Sequence, residues 1–92
     1  MVGLTLEFDA LARKNFDNCD TALQAKIVER LHWFLHTDVL PDALEGNFKG
    51  YFKLRVGDYR IIYEFETASI ILVRLIGHRS RVYKDLVRLL DS

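Results

Sequence analysis

Between residues 49 and 83 the chain carries cations at strand spacing. Lys53 and Arg55 precede a Gly57-Asp58 pair, and Arg60 follows it. Gly57-Asp58 between two alternating runs reads as a two-residue hairpin loop, which pairs Val56 with Tyr59, Arg55 with Arg60, Leu54 with Ile61 and Lys53 with Ile62. Alternation then puts Phe52, Leu54, Val56, Tyr59, Ile61, Tyr63 and Phe65 on a core face. Tyr51, Lys53, Arg55, Arg60, Ile62 and Glu64 fall on the other. Directly opposed like charges destabilise a strand pair by on the order of a few tenths of a kcal/mol. A bound anion would relieve that repulsion, and phosphate matches the guanidinium fork.

More cations flank the hairpin: Lys49 before it, and Arg79 and Arg81 in the run Gly77-His78-Arg79-Ser80-Arg81-Val82-Tyr83 after it. In a three-strand meander the third strand runs parallel to the first, so its end at Gly77 lies near Val56. Arg79, Arg81 and Tyr83 then come within reach of the Arg55/Arg60 pair. Guanidinium groups for phosphate, a lysine and a tyrosine for base stacking resemble a single-stranded RNA site. The competing expectation is a solvated basic face whose arginines pair with Glu64, Asp58 or Asp85. His78 either shuttles a proton or completes a turn. His32 and His36 stand four apart on one helical stretch, a zinc-compatible spacing, but the acidic residue of an H-E-x-x-H motif is missing and Cys19 and His78 are distant in sequence. No metal and no cofactor are expected. Cys19 has no motif around it, and Trp33 reads as peripheral packing.

The elements that position these groups follow from periodicity. Leu4 to Phe8 alternates as a short strand, Asp9 caps a helix from Ala10 to Asn15, and Asn18-Cys19-Asp20 breaks it. Thr21 and Gln24 fit a capping box for a second helix, with Leu23, Ile27, Leu31 and Leu35 recurring every fourth residue as far as His36. Strands are expected over 51–56, 59–65 and 69–76, and a closing helix over 82–90. The order βααβββα is an α+β fold: an antiparallel sheet with an N-terminal helix hairpin and a short C-terminal helix, helices on one face.

Composition bounds the function. Ninety-two residues allow a single domain, 1–92. One cysteine excludes an internal disulfide and fits a reducing compartment. Met1-Val2-Gly3-Leu4-Thr5 lacks a signal peptide's basic and apolar stretches, and Ile70-Ile71-Leu72-Val73 is too short to cross a membrane. A cytoplasmic protein with no membrane partner is expected. The 13 basic and 13 acidic side chains cancel, yet unevenly: residues 1–46 hold four basic and eight acidic groups, residues 47–92 nine and five. The second half therefore offers an electropositive surface.

Lys49 to Glu64, KGYFKLRVGDYRIIYE, resembles the core signature of the RelE/ParE toxin superfamily, and Arg74 to Tyr83, RLIGHRSRVY, resembles its closing segment. The resemblance implies a RelE-like microbial RNase fold and a type II toxin that enters the ribosomal A site and cuts translated messenger RNA. It implies metal-free attack by a ribose 2′-hydroxyl on the adjacent phosphate. Carried over by position, Lys53 deprotonates or positions the 2′-hydroxyl, and Arg60 holds the phosphate and stabilises its charge. Arg79 sits on the leaving-oxygen side, and Tyr83 stacks on or orients the base. Lys49, Tyr51, Arg55 and Arg81 would contact the RNA. A guanidinium holds its proton too firmly for easy acid catalysis, so electrostatics is the simpler role for Arg79. Tyr51 stands where the best-known RelE toxins have a further lysine. The alternative within the superfamily is a ParE-like gyrase inhibitor, or a noncatalytic module that binds antitoxin. Either way the resemblance implies a cognate antitoxin as partner.

Overall fold

The computed structural model describes residues 3–91; Met1 and Val2, part of the N-terminus read above as non-secretory, and Ser92 lie outside the described residues. The elements are β1 (Thr5–Phe8), α1 (Ala10–Asp17), α2 (Thr21–His36), β2 (Asp42–Ala43), a 3-10 turn (Gly46–Phe48), β3 (Phe52–Val56), β4 (Tyr59–Thr67), β5 (Ile70–His78) and α3 (Val82–Asp91). The five strands form one sheet in the order β1-β5-β4-β3-β2. Neighbours are antiparallel except β1 and β5, which run parallel because the α1–α2 hairpin and the meander separate them in sequence. Expectation and structure agree on an α+β fold with three helices. The two-residue strand β2 and the 3-10 turn are additions; neither is long enough to show periodicity.

Helix α1 starts where Asp9 was expected to cap it: the Asp9 carboxylate accepts the Ala12 N–H at 2.9 Å. The cap of α2 is one residue earlier than the capping box implied. Asp20 accepts the Leu23 N–H at 2.8 Å, Thr21 is the first helical residue, and the Gln24 side chain donates to the Phe16 carbonyl across the helix hairpin. An ionised carboxylate at the helix N-terminus gains from the dipole as well as the hydrogen bond, which explains the shift. Asp20→Ala is expected to cost about 1 kcal/mol and Thr21→Ala only a few tenths, on the order of a propensity change, measured by urea unfolding.

The sheet has a core on each face. Ala12 of α1 and Ile27, Leu31 and Phe34 of α2 pack on Leu54, Val56, Ile61, Tyr63, Ile71 and Val73. On the opposite face Val82 and Leu86 of α3 cover Ile62 and Leu75, with Leu44, Phe48, Tyr51, Tyr83 and Leu89 around them. The three helices were expected on one face. Instead α3 crosses to the other, drawn by Ile62 and Leu75, two fully apolar side chains on the otherwise polar face.

A bulge makes this possible. Tyr63 pairs with Val73 and Ile62 with Leu75, leaving Arg74 without a partner on β4. The extra residue turns both Arg74 and Leu75 toward the α3 face and resets the alternation, so that Ile76 rejoins the α1–α2 core. Beyond β1 the edge of β5 is capped by α1, whose Asn15 side-chain oxygen accepts the Ile76 N–H at 3.0 Å.

Candidate anion-binding face

The expected hairpin register is the observed one: Val56 opposite Tyr59, Arg55 opposite Arg60, Leu54 opposite Ile61, Lys53 opposite Ile62. Gly57 has φ +57° and Asp58 is not left-handed, the pattern of a type II′ turn with glycine at its first central position. Gly57→Val would force a β-branched residue into that region at a cost of about 1–2 kcal/mol. The expected result is a lower urea midpoint with an unchanged denaturant slope.

Arg60 is the central group of this face. It is only 9% exposed. One guanidinium nitrogen donates to the Gly57 carbonyl at 3.0 Å and the Tyr59 carbonyl at 2.9 Å, so the turn itself holds the side chain in place. No carboxylate forms an ion pair with it among the described residues. Of the acids proposed to neutralise the face, Asp58 does so in part, by pairing with Arg79, while Glu64 and Asp85 are committed elsewhere and none of the three pairs with Arg60. Glu64 bonds Arg74, Asp85 pairs with Arg88 at 3.9 Å, and Asp58 reaches Arg79 at 3.6 Å between side chains that are both well exposed. A buried guanidinium with neutral carbonyl partners and a second arginine across the strand is an unneutralised positive centre.

The other candidates divide into those the fold brings to Arg60 and those it does not. Gly77 lies opposite Arg60 on β5, and the Arg79 N–H donates to the Asp58 carbonyl at 2.7 Å, which fastens the closing segment to the hairpin turn. Gly77 has a packing reason: a Cβ there would lie 3.3 Å from the Val82 side chain, so the glycine lets α3 start directly on the strand. Lys53 is half-buried on the same face as Arg55 and Arg60, one ladder step away beside Ile62. Arg55, Arg81 and Lys49 are exposed.

The aromatic candidates are less free than expected. Tyr83, in the first turn of α3, stacks on Phe48 at a centroid distance of 6.3 Å, and Tyr51 belongs to the α3 core. Phe48 was not singled out from sequence; its only signal is an aromatic beside Lys49 and Gly50. His78 is positioned away from Arg60. It pairs with Tyr59, meets that ring edge-on at 5.5 Å, and its Nδ1 accepts the Ser80 N–H at 3.1 Å. It is a turn histidine on the α1–α2 face. His36 Nδ1 lies 2.8 Å from the His32 carbonyl, a bond within its own helix. Burial, with Asp20 beside it, pushes the Cys19 thiol up, which leaves it a poor nucleophile.

A family profile described as the ParE toxin of type II toxin–antitoxin systems, parDE, matches residues 6–83. A search for similar sequences among curated proteins finds none. Among solved structures, the toxin–antitoxin complex RelBE2 from Mycobacterium tuberculosis is 22% identical with TM-score 0.67, covering 85% of this chain and all of that one. Isolated E. coli RelE toxin is 20% identical with TM-score 0.67, over 95% and 98%. YafQ from E. coli is 18% identical with TM-score 0.70, over 87% and 98%. These likenesses establish a shared fold. The profile covers most of the chain, including the hairpin and the closing segment up to Tyr83, and the chain belongs to the ParE toxin family of type II toxin–antitoxin systems, within the RelE/ParE superfamily.

Proposed function

We propose that this domain, residues 1–92, is a toxin that cleaves translated messenger RNA at the ribosomal A site and is restrained by a cognate antitoxin. The observation that carries the reading is Arg60: buried, oriented by two turn carbonyls and, among the described residues, without a carboxylate partner. Holding a bare guanidinium there costs stability, and a phosphate oxyanion is the ligand that repays it. The family supports a toxin, and neighbours solved as toxin–antitoxin complexes, RelBE2 and DinJ-YafQ, support an antitoxin partner.

The chemistry uses this chain's own groups. The ribose 2′-hydroxyl attacks the adjacent phosphorus while Lys53 positions it or takes its proton. Arg60 binds the non-bridging oxygens as charge builds on them, a preorganised contact that strengthens toward the transition state. The P–O5′ bond breaks, with Arg79 beside the departing oxygen. The products are a 2′,3′-cyclic phosphate and a 5′-hydroxyl. Arg55 supports Arg60, Tyr83 offers the ring face not packed on Phe48 to a base, and Lys49, Tyr51 and Arg81 contact the strand. The test is to map messenger 5′ ends in cells expressing the chain, with translation active or blocked. Cuts within translated codons support the reading.

A second reading, inhibition of DNA gyrase, is favoured by the ParE description of the matching family. Growth arrest with intact messages would select it.

A further inference from the structure

The last turns of α2 carry His32 and His36, both exposed and four residues apart, so their imidazoles rise from one side of the helix. Their spacing alone supplies no third ligand for a zinc site. The structure adds the proton position of one ring and the distance between the two. His36 Nδ1 lies 2.8 Å from the His32 carbonyl. A carbonyl oxygen only accepts, so Nδ1 carries the hydrogen and the neutral ring keeps its lone pair on Nε2. Donation of one ring N–H to a main-chain carbonyl is the support that metal-ligating histidines ordinarily have.

The two ring centroids are 4.3 Å apart, with the planes inclined at 34°. A metal ion about 2.0–2.1 Å from each ligating nitrogen sits roughly 3.2 Å from each ring centre. Two rings on one ion are then about 4.5 Å apart at a right-angled ligand pair and about 5.2 Å at a tetrahedral one. The observed pair needs a small opening to reach the first and a larger one to reach the second. Rotation of two exposed side chains supplies it. Charge favours a cation here as well. In the surface hollow that His32 borders, the one other titratable lining residue is Glu29. His36 also stands in the last turn of α2, at the negative end of the helix dipole.

We propose that His32 and His36 form a two-histidine site for a divalent transition metal, with water in the remaining positions. No third His, Cys, Asp or Glu completes a cluster among the described residues, so the site is open and exchangeable, unlike a closed structural one. Imidazole donors and tetragonal geometry rank Cu²⁺ above Ni²⁺ and Zn²⁺. A bound ion links residues i and i+4 and so staples the last turn of α2. The site belongs to α2 and not to the hairpin that carries Arg60, and it does not rest on the nuclease reading.

Trp33 follows His32 and is the chain's one tryptophan, so a paramagnetic ion on the pair quenches its emission. The full chain would be titrated with Cu²⁺ and, because Cu²⁺ can oxidise the Cys19 thiol, with Ni²⁺ in parallel. One ion per chain is expected, with Trp33 quenched by Cu²⁺ and nitrogen splitting in the copper resonance spectrum. His32→Gln and His36→Gln should each weaken binding about tenfold or more, while His78→Gln and Cys19→Ser leave it unchanged. Both α2 substitutions are at exposed positions, and circular dichroism checks that the fold is kept. At about a hundredfold excess over its dissociation constant, Ni²⁺ should raise the wild-type melting temperature by roughly 5 °C or more and leave His32→Gln unmoved. No quenching, an affinity unchanged in both α2 variants, or loss of binding in His78→Gln or Cys19→Ser instead overturns the site. One ion per two chains overturns the water-completed form.

Discussion

Arg60→Ala is expected to lower messenger cleavage by about 10²–10³-fold, the loss typical of removing one preorganised donor from a developing oxyanion. Instability adds to the effect in cells, because the same guanidinium holds the Gly57 and Tyr59 carbonyls. Two lost hydrogen bonds cost about 1–3 kcal/mol, partly offset by removing a buried unneutralised charge. The two contributions separate experimentally. Urea unfolding gives the stability change, and purified variant mixed with programmed ribosomes gives cleavage at a temperature where it is fully folded. Arg60→Lys keeps the charge and loses the two-pronged geometry, so it should fall between wild type and alanine. A folded alanine variant that still cuts at the wild-type positions would sink the assignment of Arg60 to the phosphate.

Much of this face was legible in sequence because its determinants are local. Gly57-Asp58 sets the hairpin register, and register alone places Arg55 opposite Arg60 with Gly77 beyond. Two features were not legible. The shift of α3 to the cationic face depends on Ile62 and Leu75 meeting across β4 and β5, and that meeting depends on the bulge at Arg74. A bulge adds one residue without any local composition signal, so alternation counted along β5 goes out of phase unnoticed. Burial of Arg60 is likewise a tertiary result: strand periodicity placed it on a solvated face, whereas the turn carbonyls draw it in. The α2 cap was misplaced by one residue because Asp20 and Thr21 are both good capping types and only geometry separates them.

The position of α3, and with it Tyr83 and the approach of Arg79, leads to the second large effect, on stability. Arg74→Met is expected to destabilise the protein by about 2–3 kcal/mol, less than the roughly 3–5 kcal/mol for a fully buried pair because these side chains remain about a quarter exposed. From the bulge, Arg74 donates to Asp9 at 2.7 Å and to Glu64. Burial works against its charge, but the hydrogen bonds to Glu64 and Asp9 outweigh it and hold the guanidinium above its ordinary range. Removing it leaves two partly buried carboxylates around one site with no cation between them. Asp9 also caps α1 through its other oxygen, so the damage spreads to the helix that closes the edge of β5. For a chain of this size the loss should lower the melting temperature by roughly 10–20 °C. Glu64→Gln in the Arg74→Met background should recover part of it, because it removes one of the stranded charges; the cycle gives the coupling energy. A melting temperature within about 3 °C of wild type would mean that the triad contributes nothing net and that the apolar contacts of Leu75 and Ile62 alone hold the bulge.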